Sequence, residues 1–293
     1  MLDLKTAIGV CAFNEEYNIR RLLDHLAVEP LPDNCSILVV CSGCTDKTTN
    51  VVKEFSCDKR IQPIVEETRN GKANALNKIF HEVKNSHDII VLVNADALPE
   101  PGSIGKLIVA LTQSDDGAVF ARPVPFESSG LSYRIVKVIW HMHHLISLKS
   151  TPKLSGELCA IRTVCLQPIP EEIATDEPYI EHVIRQQGYK ISYLPGAIVR
   201  IRCPTNLSDL TKQRKRIWIG HMQLKQTTGF HVSTSNFKNI LYALPDLSVS
   251  ELPFAFLGGI LETIAYFQAK LAKNKKIPYI WEPIKSTKIS IST

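Results

Sequence analysis

The sequence lacks the two glycine-rich loops that most often announce a nucleotide site. No G-x-G-x-x-G follows the first strand-like run and no G-x-x-x-x-G-K-[ST] occurs, which disfavours a dinucleotide-binding Rossmann domain and a P-loop hydrolase. No leader-like stretch precedes that run, because Met1 to Lys5 leads straight into Thr6; no signal peptide is expected. No stretch reaches the roughly 18 apolar residues needed to span a bilayer. Leu252 to Phe267 comes nearest and is interrupted by Gly258-Gly259 and Glu262. There is one C-x-x-C, Cys41 to Cys44, without a second pair or a histidine beside it, which argues against a zinc framework. Cys11, Cys159 and Cys165 lie in apolar surroundings, so the eight cysteines are expected to be reduced thiols in a cytosolic protein.

What is present is globular: 44% hydrophobic and 22% charged residues over 293 positions, long enough for a large α/β core. The net charge of +5 is carried entirely by Gln268 to Thr293, with six lysines against Glu282. Such asymmetry points to an anionic partner, and charge alone leaves membrane and nucleic acid open.

The stretch Asp88-Ile89-Ile90-Val91-Leu92-Val93-Asn94-Ala95-Asp96 anchors the reading. Five unbroken apolar residues fit a strand buried on both faces of a parallel sheet. The run stops at Asn94 and Asp96, with Pro99 expected to prevent its continuation. In open α/β sheets the carboxyl ends of the strands are where ligands bind, and a carboxylate there can hold a divalent cation bound to a diphosphate.

Around it the pattern predicts strands at Thr6–Ala12, Ser36–Val40, Ile61–Val65 and Ala118–Ala121. Helices alternate with them, the first capped by Asn14 and the second by Thr45 or Asp46. This β-α alternation predicts a doubly wound, mostly parallel sheet. Further on, Ser132 to Leu148 is helical by period, and His141, His143 and His144 read as a polar face better than as a metal site. Thr175-Asp176-Glu177-Pro178 opens a helix, and Tyr189 to Tyr193 alternates as an edge strand would. Arg200 to Lys225 is basic, without the interleaved aromatics a nucleic-acid surface would need; no nucleic-acid partner is expected. The apolar, aromatic and then lysine-rich C-terminus describes a segment lying on an anionic membrane surface. The expected organisation is 1–125 for a nucleotide-binding half, 126–230 for the acceptor and catalytic half of the same domain, and 231–293 for an amphipathic, basic extension.

The predicted strand ends deliver Asn14 and Glu15, Ser42 and Asp46, Arg69 and Lys72, and Asn94 and Asp96 to one crevice. Such a set suits a nucleoside diphosphate with a metal ion. Asp176 could face it from the other side and take a proton from an incoming hydroxyl.

Taken in order, Ala12-Phe13-Asn14-Glu15-Glu16, Ser42-Gly43-Cys44-Thr45-Asp46, Arg69-Asn70-Gly71-Lys72, Asn94-Ala95-Asp96 and Thr175-Asp176 resemble the motif set of family 2 glycosyltransferases with the GT-A fold. The match runs roughly from Thr6 to Trp218. The resemblance implies inverting transfer of a sugar from a nucleotide-sugar donor to an acceptor hydroxyl. It assigns Asp96 to a divalent metal (Mn²⁺ or Mg²⁺), Asp176 to the catalytic base, and Glu15 and Ser42 to the nucleotide. Arg69, Lys72 and Asn94 fall in the same set. Gln213-Arg214-Lys215-Arg216-Ile217-Trp218 resembles the Q-x-x-R-W motif of membrane-linked members, in which Gln213, Arg216 and Trp218 would help hold the diphosphate and the acceptor end. The pattern departs in four places. Asn94 stands where the D-x-D motif has its first acid, Cys41 where an acid often reads the base, and Thr175 where E-D has Glu. Ile217 is inserted before Trp218. The acceptor is expected to be a glycan or lipid-linked, and the protein cytoplasmic and peripheral on the inner face of a membrane. A non-catalytic binding module and a sugar nucleotidyltransferase are the rival readings.

Overall fold

The computed structural model describes residues 4–235, 237–272 and 280–288. Its centre is an eight-stranded sheet in the order β3-β2-β1-β4-β7-β6-β8-β5. The strands are β1 (Thr6–Ala12), β2 (Cys35–Ser42), β3 (Ile61–Glu66), β4 (Ile89–Asn94), β5 (Leu98–Pro99), β6 (Ala118–Pro125), β7 (Leu158–Arg162) and β8 (Ile191–Ile201). The first four are parallel. β7 then enters antiparallel between β4 and β6, and β8 resumes the common direction beside β6. The sheet is therefore mixed, with β5 and β7 running against the rest.

The central strands are hydrophobic on both faces because helices cover both. Helices α1 (Glu16–Val28), α2 (Thr48–Glu54) and α4 (Ser103–Thr112) cover one face, burying Ile19, Leu22, Leu23, Val52, Leu107 and Leu111. Helices α3 (Lys72–Val83) and α6 (Asp176–Gln186) cover the other through Leu76, Ile79, Phe80, Ile180 and Ile184. A third, smaller cluster of Ile135, Val136, Leu210 and Leu261 joins α5 (Leu131–Lys149), α7 (Leu207–Thr228) and α9 (Leu252–Ala272); the short α8 (Phe237–Ala243) lies against α5.

Several local expectations are corrected. Asn14 does not cap α1: it is the described non-glycine residue at positive φ (53°). Its side chain bonds Thr45 instead, receiving the Thr45 amide at 2.8 Å and donating to Thr45 Oγ1 at 3.0 Å. An Asn tolerates the left-handed region and bonds locally there, which turns the chain sharply at the end of β1. Asp46 ties the next helix start, accepting from the Thr48 amide at 2.9 Å and from the Glu16 amide at 3.2 Å. β4 does end at Asn94, but Pro99 itself lies in a separate two-residue edge strand, Leu98–Pro99, on β8, a position where the missing N–H is harmless. Consequently β8 is not the edge at its far end, and it continues to Ile201. Finally, Leu252–Ala272 is one helix whose length and composition suffice to cross a membrane; Gly258-Gly259 does not interrupt it.

Candidate functional site

A cleft of about 380 Å³ opens at the carboxyl edge of the sheet. Its first wall is made by strand ends. Phe13 and Glu15 follow β1, Ser42 ends β2, Arg69 and Lys72 follow β3, Asn94 ends β4 and Asp96 follows it. Gly43 is what allows the second and third of these to meet. It has φ +60°, and a Cβ there would lie 2.4 Å from the Arg69 amide nitrogen, so a side chain is excluded by space and by backbone. Ser42 is 5% exposed, and its hydroxyl has no partner among the described residues; a buried polar group left so is a place for a ligand. Arg69 lies over the Phe13 ring at 3.8 Å.

The second wall comes from α5, α6 and α7. Asp176 and Glu177 open α6, where the helix dipole favours acids. Lys72 reaches across from the first wall to both, at 2.8 Å from Asp176 Oδ2 and 3.2 Å from Glu177 Oε1. Burial alone would lower the Lys72 ammonium, but the carboxylates of Asp176 and Glu177 hold it well above the usual lysine range. Burial, then the Glu177 charge, pushes the Asp176 carboxyl up. Burial acts the same way on Glu177, yet Lys72 and Lys153 bring it down to about 2. The two neighbouring acids are thereby given opposite tendencies, the arrangement that separates a proton acceptor from a permanent charge. Arg216 sits among Glu177, Asp176, Asp96 and Glu157. Gln213, Arg214 and Ile217 line the same wall.

Trp218 is not among the lining residues. Its indole donates to Glu262 Oε2 at 2.8 Å and meets the Tyr266 ring edge-on at 5.2 Å, so it fastens α7 to α9. The inserted Ile217 explains this: one extra helical residue turns the next side chain by about 100°, and Ile217 takes the place at the cleft.

Four contributors carry no motif. Glu157, just before β7, receives Asn94 Nδ2 at 2.9 Å; burial, then the charge of Asp96, pushes its carboxyl up to about 7. Lys153 and Arg202 line the cleft. The described C-terminal segment returns to cover the end of the cleft at Phe13, Glu15 and Arg69. Arg69 donates to the Trp281 carbonyl at 2.5 Å, and Trp281 Nε1 to the Ala174 carbonyl at 3.0 Å. Lys288 Nζ donates to the Phe13 and Asn14 carbonyls at 2.6 and 3.1 Å and to Glu15 Oε1 at 2.5 Å. The lysine-rich tail is the signal for this in the sequence, but charge alone points to a surface rather than to the cleft.

The histidines have other partners. His141 bonds Glu251 at 2.7 Å and His144 the Tyr193 hydroxyl at 2.6 Å. His143 and His221 line the cleft, where burial, then Lys153 and Arg214, lowers both, His143 to about 3. Among the described residues no three His, Cys, Asp or Glu side chains form a metal cluster. A cation that arrives on a diphosphate needs only one or two protein carboxylates, and Asp96 fits that requirement. All eight cysteines are free.

A sheet built this way, with acids and cations gathered at its carboxyl edge and helices closing the far wall, places the chain in the GT-A class of α/β folds. Residues 5–220 match the family described as glycosyltransferase like family 2; the chain belongs to that family. It is 21% identical over 261 residues to the poly-β-1,6-N-acetyl-D-glucosamine synthase of Staphylococcus epidermidis, covering 85% of this chain and 62% of that one. The chain thus spans about three fifths of that curated relative's length. Its fold is similar to the mannosyltransferase PcManGT of Pyrobaculum calidifontis, solved in complex with GDP-Man and Mn²⁺ (TM-score 0.67, 17% identity, 92% of this chain and 87% of that one). It is also similar to residues 1–349 of S. aureus TarS in complex with UDP-GlcNAc (TM-score 0.54, 14% identity, 95% and 94%).

Proposed function

We propose that the chain transfers a sugar from a nucleotide-sugar donor to an acceptor hydroxyl with inversion at the anomeric carbon. The observation that carries this is that Asp96 and Asp176 line one cleft from opposite walls, with Lys72 paired to Asp176 and Arg216 attracted to both. Asp176, raised by burial, is a stronger base than a free aspartate and would accept the acceptor's proton. One displacement from the face opposite the leaving diphosphate inverts the centre, and no nucleophilic Ser or Cys is required. Arg216 would meet the departing diphosphate, where fixed positive charge counts most. Asp96 would hold a divalent ion, Mn²⁺ or Mg²⁺, which when bound supplies further positive charge to the diphosphate. Glu15, Ser42, Arg69 and Asn94 would hold the nucleoside and sugar, and Gln213 the acceptor side. PcManGT and TarS, named for GDP-Man with Mn²⁺ and for UDP-GlcNAc, support a donor of this kind.

The acceptor is proposed to be membrane-proximal, a glycan or a lipid-linked group. Helix α9 supports this. It turns Gly258, Leu261, Ala265 and Ala269 towards the body and leaves Phe256 (70% exposed), Ile260, Ile264, Phe267 and Leu271 outward. Large apolar residues outward, against an inward face that is small apart from Leu261, is the reverse of a helix made for water; with the tail lysines it suits a segment seated in an anionic membrane surface.

Thermal unfolding with UDP and with GDP, each with and without Mn²⁺, tests the donor reading. One nucleotide should raise the midpoint, more with metal. No shift with either would remove the nucleotide-sugar assignment.

A further inference from the structure

We infer that Glu157 supplies the second carboxylate of the diphosphate–metal site, in the place that Asn94 leaves empty of charge. The inference rests on the donor reading above and adds to it a residue outside every motif.

The sheet itself carries it. Strands parallel to β4 can bring only the residues after them to the carboxyl edge. β7 is antiparallel, so it brings the residue before it. The register pairs Val93 with Leu158, and one step further places Glu157 opposite Asn94. Both backbone and side chain close that pair: the Asn94 amide donates to the Glu157 carbonyl at 3.3 Å, and Asn94 Nδ2 to Glu157 Oε2 at 2.9 Å. The carboxylate therefore stands beside the side chain where the motif's first acid would be, on the Asp96 side of the cleft.

The turn is fixed there. A Cβ on Gly156 would fall 2.1 Å from Glu177 Cγ and 2.5 Å from its Oε1, so the backbone before Glu157 packs directly on the side chain that Lys72 holds. No described ion pair includes Glu157 or Asp96, whereas Lys72 is already taken by Asp176 and Glu177. Asp96 and Glu157 repel one another, and Arg216 attracts both without forming a described ion pair with either; two such acids beside one strand end are a pair that a divalent ion would satisfy. The unpartnered, 5%-exposed hydroxyl of Ser42 lines the same cleft and independently marks it as built for a ligand.

The test is Mn²⁺ affinity, read by electron paramagnetic resonance with saturating UDP or GDP, for the full chain and four variants. Glu157→Gln keeps the Asn94 hydrogen bond and should fold normally, but should weaken Mn²⁺ binding by about tenfold or more. Asn94→Asp combined with Glu157→Gln moves the acid back across the strand pair and should restore most of the affinity. Asn94→Asp alone should not weaken binding. Asp96→Ala should lose it. Unchanged Mn²⁺ affinity in Glu157→Gln while Asp96→Ala is defective would overturn the inference and leave the donor reading standing. Loss in Glu157→Gln without recovery in the double variant would assign Glu157 a structural role only and also overturn it. Absence of Mn²⁺ binding by the unsubstituted chain would remove both.

Discussion

The two walls of the cleft are built by different means. The wall that ends in Ser42, Arg69 and Asp96 is made of parallel strand ends joined to helices by short turns, so each functional side chain is positioned by its own strand. The wall that carries Asp176 and Arg216 is assembled from a helix start and a long helix, with α9 behind it and the C-terminal segment laid over the top. The first rests directly on the buried core of the sheet. The second depends on contacts between segments far apart in sequence, and on charges reaching across from the first. Lys72 is the link, paired with both acids of α6.

The sharpest way to break this division is at Asp176. If the second wall holds the base and the first the donor, Asp176→Asn should reduce turnover by about 10²–10⁴-fold and leave nucleotide affinity nearly unchanged. Single-turnover rates and calorimetry separate the two effects, and near-normal turnover would take the base away from α6. Asp96→Ala, on the first wall, should do the converse, weakening Mn²⁺-dependent nucleotide binding by about 10–100-fold. Equal binding with and without metal in the unsubstituted chain would show that Asp96 holds no ion.

The walls also differ in how much of them can be read from sequence. Thr6–Ala12 has the predicted bounds residue for residue, and the predicted helix Ser132 to Leu148 matches α5 to within one residue at each end. Both follow from apolar runs and periods that local chemistry fixes. Asn14 is misread because its side chain answers Thr45, 31 positions away, rather than the helix that follows it. Glu157 is silent because nothing local distinguishes a strand entering antiparallel from one entering parallel, and direction decides which end reaches the cleft. Trp218 turns away through a single inserted residue, an effect of helical phase. Lys288 is legible as charge but not as a contact, since no local rule brings a C-terminal lysine to the first turn after β1.

Lys288 offers the next test. It engages Glu15 and two carbonyls beside it, groups that the donor reading gives to the nucleotide. Its removal should free them, and Lys288→Ala should tighten nucleotide binding by roughly tenfold, the size of one charged hydrogen bond. Weaker binding would place Lys288 among the groups that hold the donor. For α9, Phe256→Glu with Phe267→Glu should reduce sedimentation with vesicles containing phosphatidylglycerol without altering nucleotide binding to the first wall. Undiminished sedimentation would remove α9 as the membrane contact.

The smallest effect expected is a difference in acid tolerance between the walls. The strongly lowered histidines lie on α5 and α7, with His143 at about 3 and His144 at about 4, both lowered first by burial. An unfolded histidine titrates near 6.5. Between 6.5 and these folded values the unfolded chain binds more protons than the folded one, so stability is complete above pH 6.5 and is lost as pH falls towards 4. All three tryptophans, Trp140, Trp218 and Trp281, belong to the second wall and its supports. Their emission should therefore change on acidification before the far-ultraviolet signal of the sheet does. His143→Gln should move the emission midpoint to lower pH by removing one of the protons taken up. Coincident transitions, unmoved by His143→Gln, would mean that the two walls unfold as one unit and that the division holds for function but not for stability.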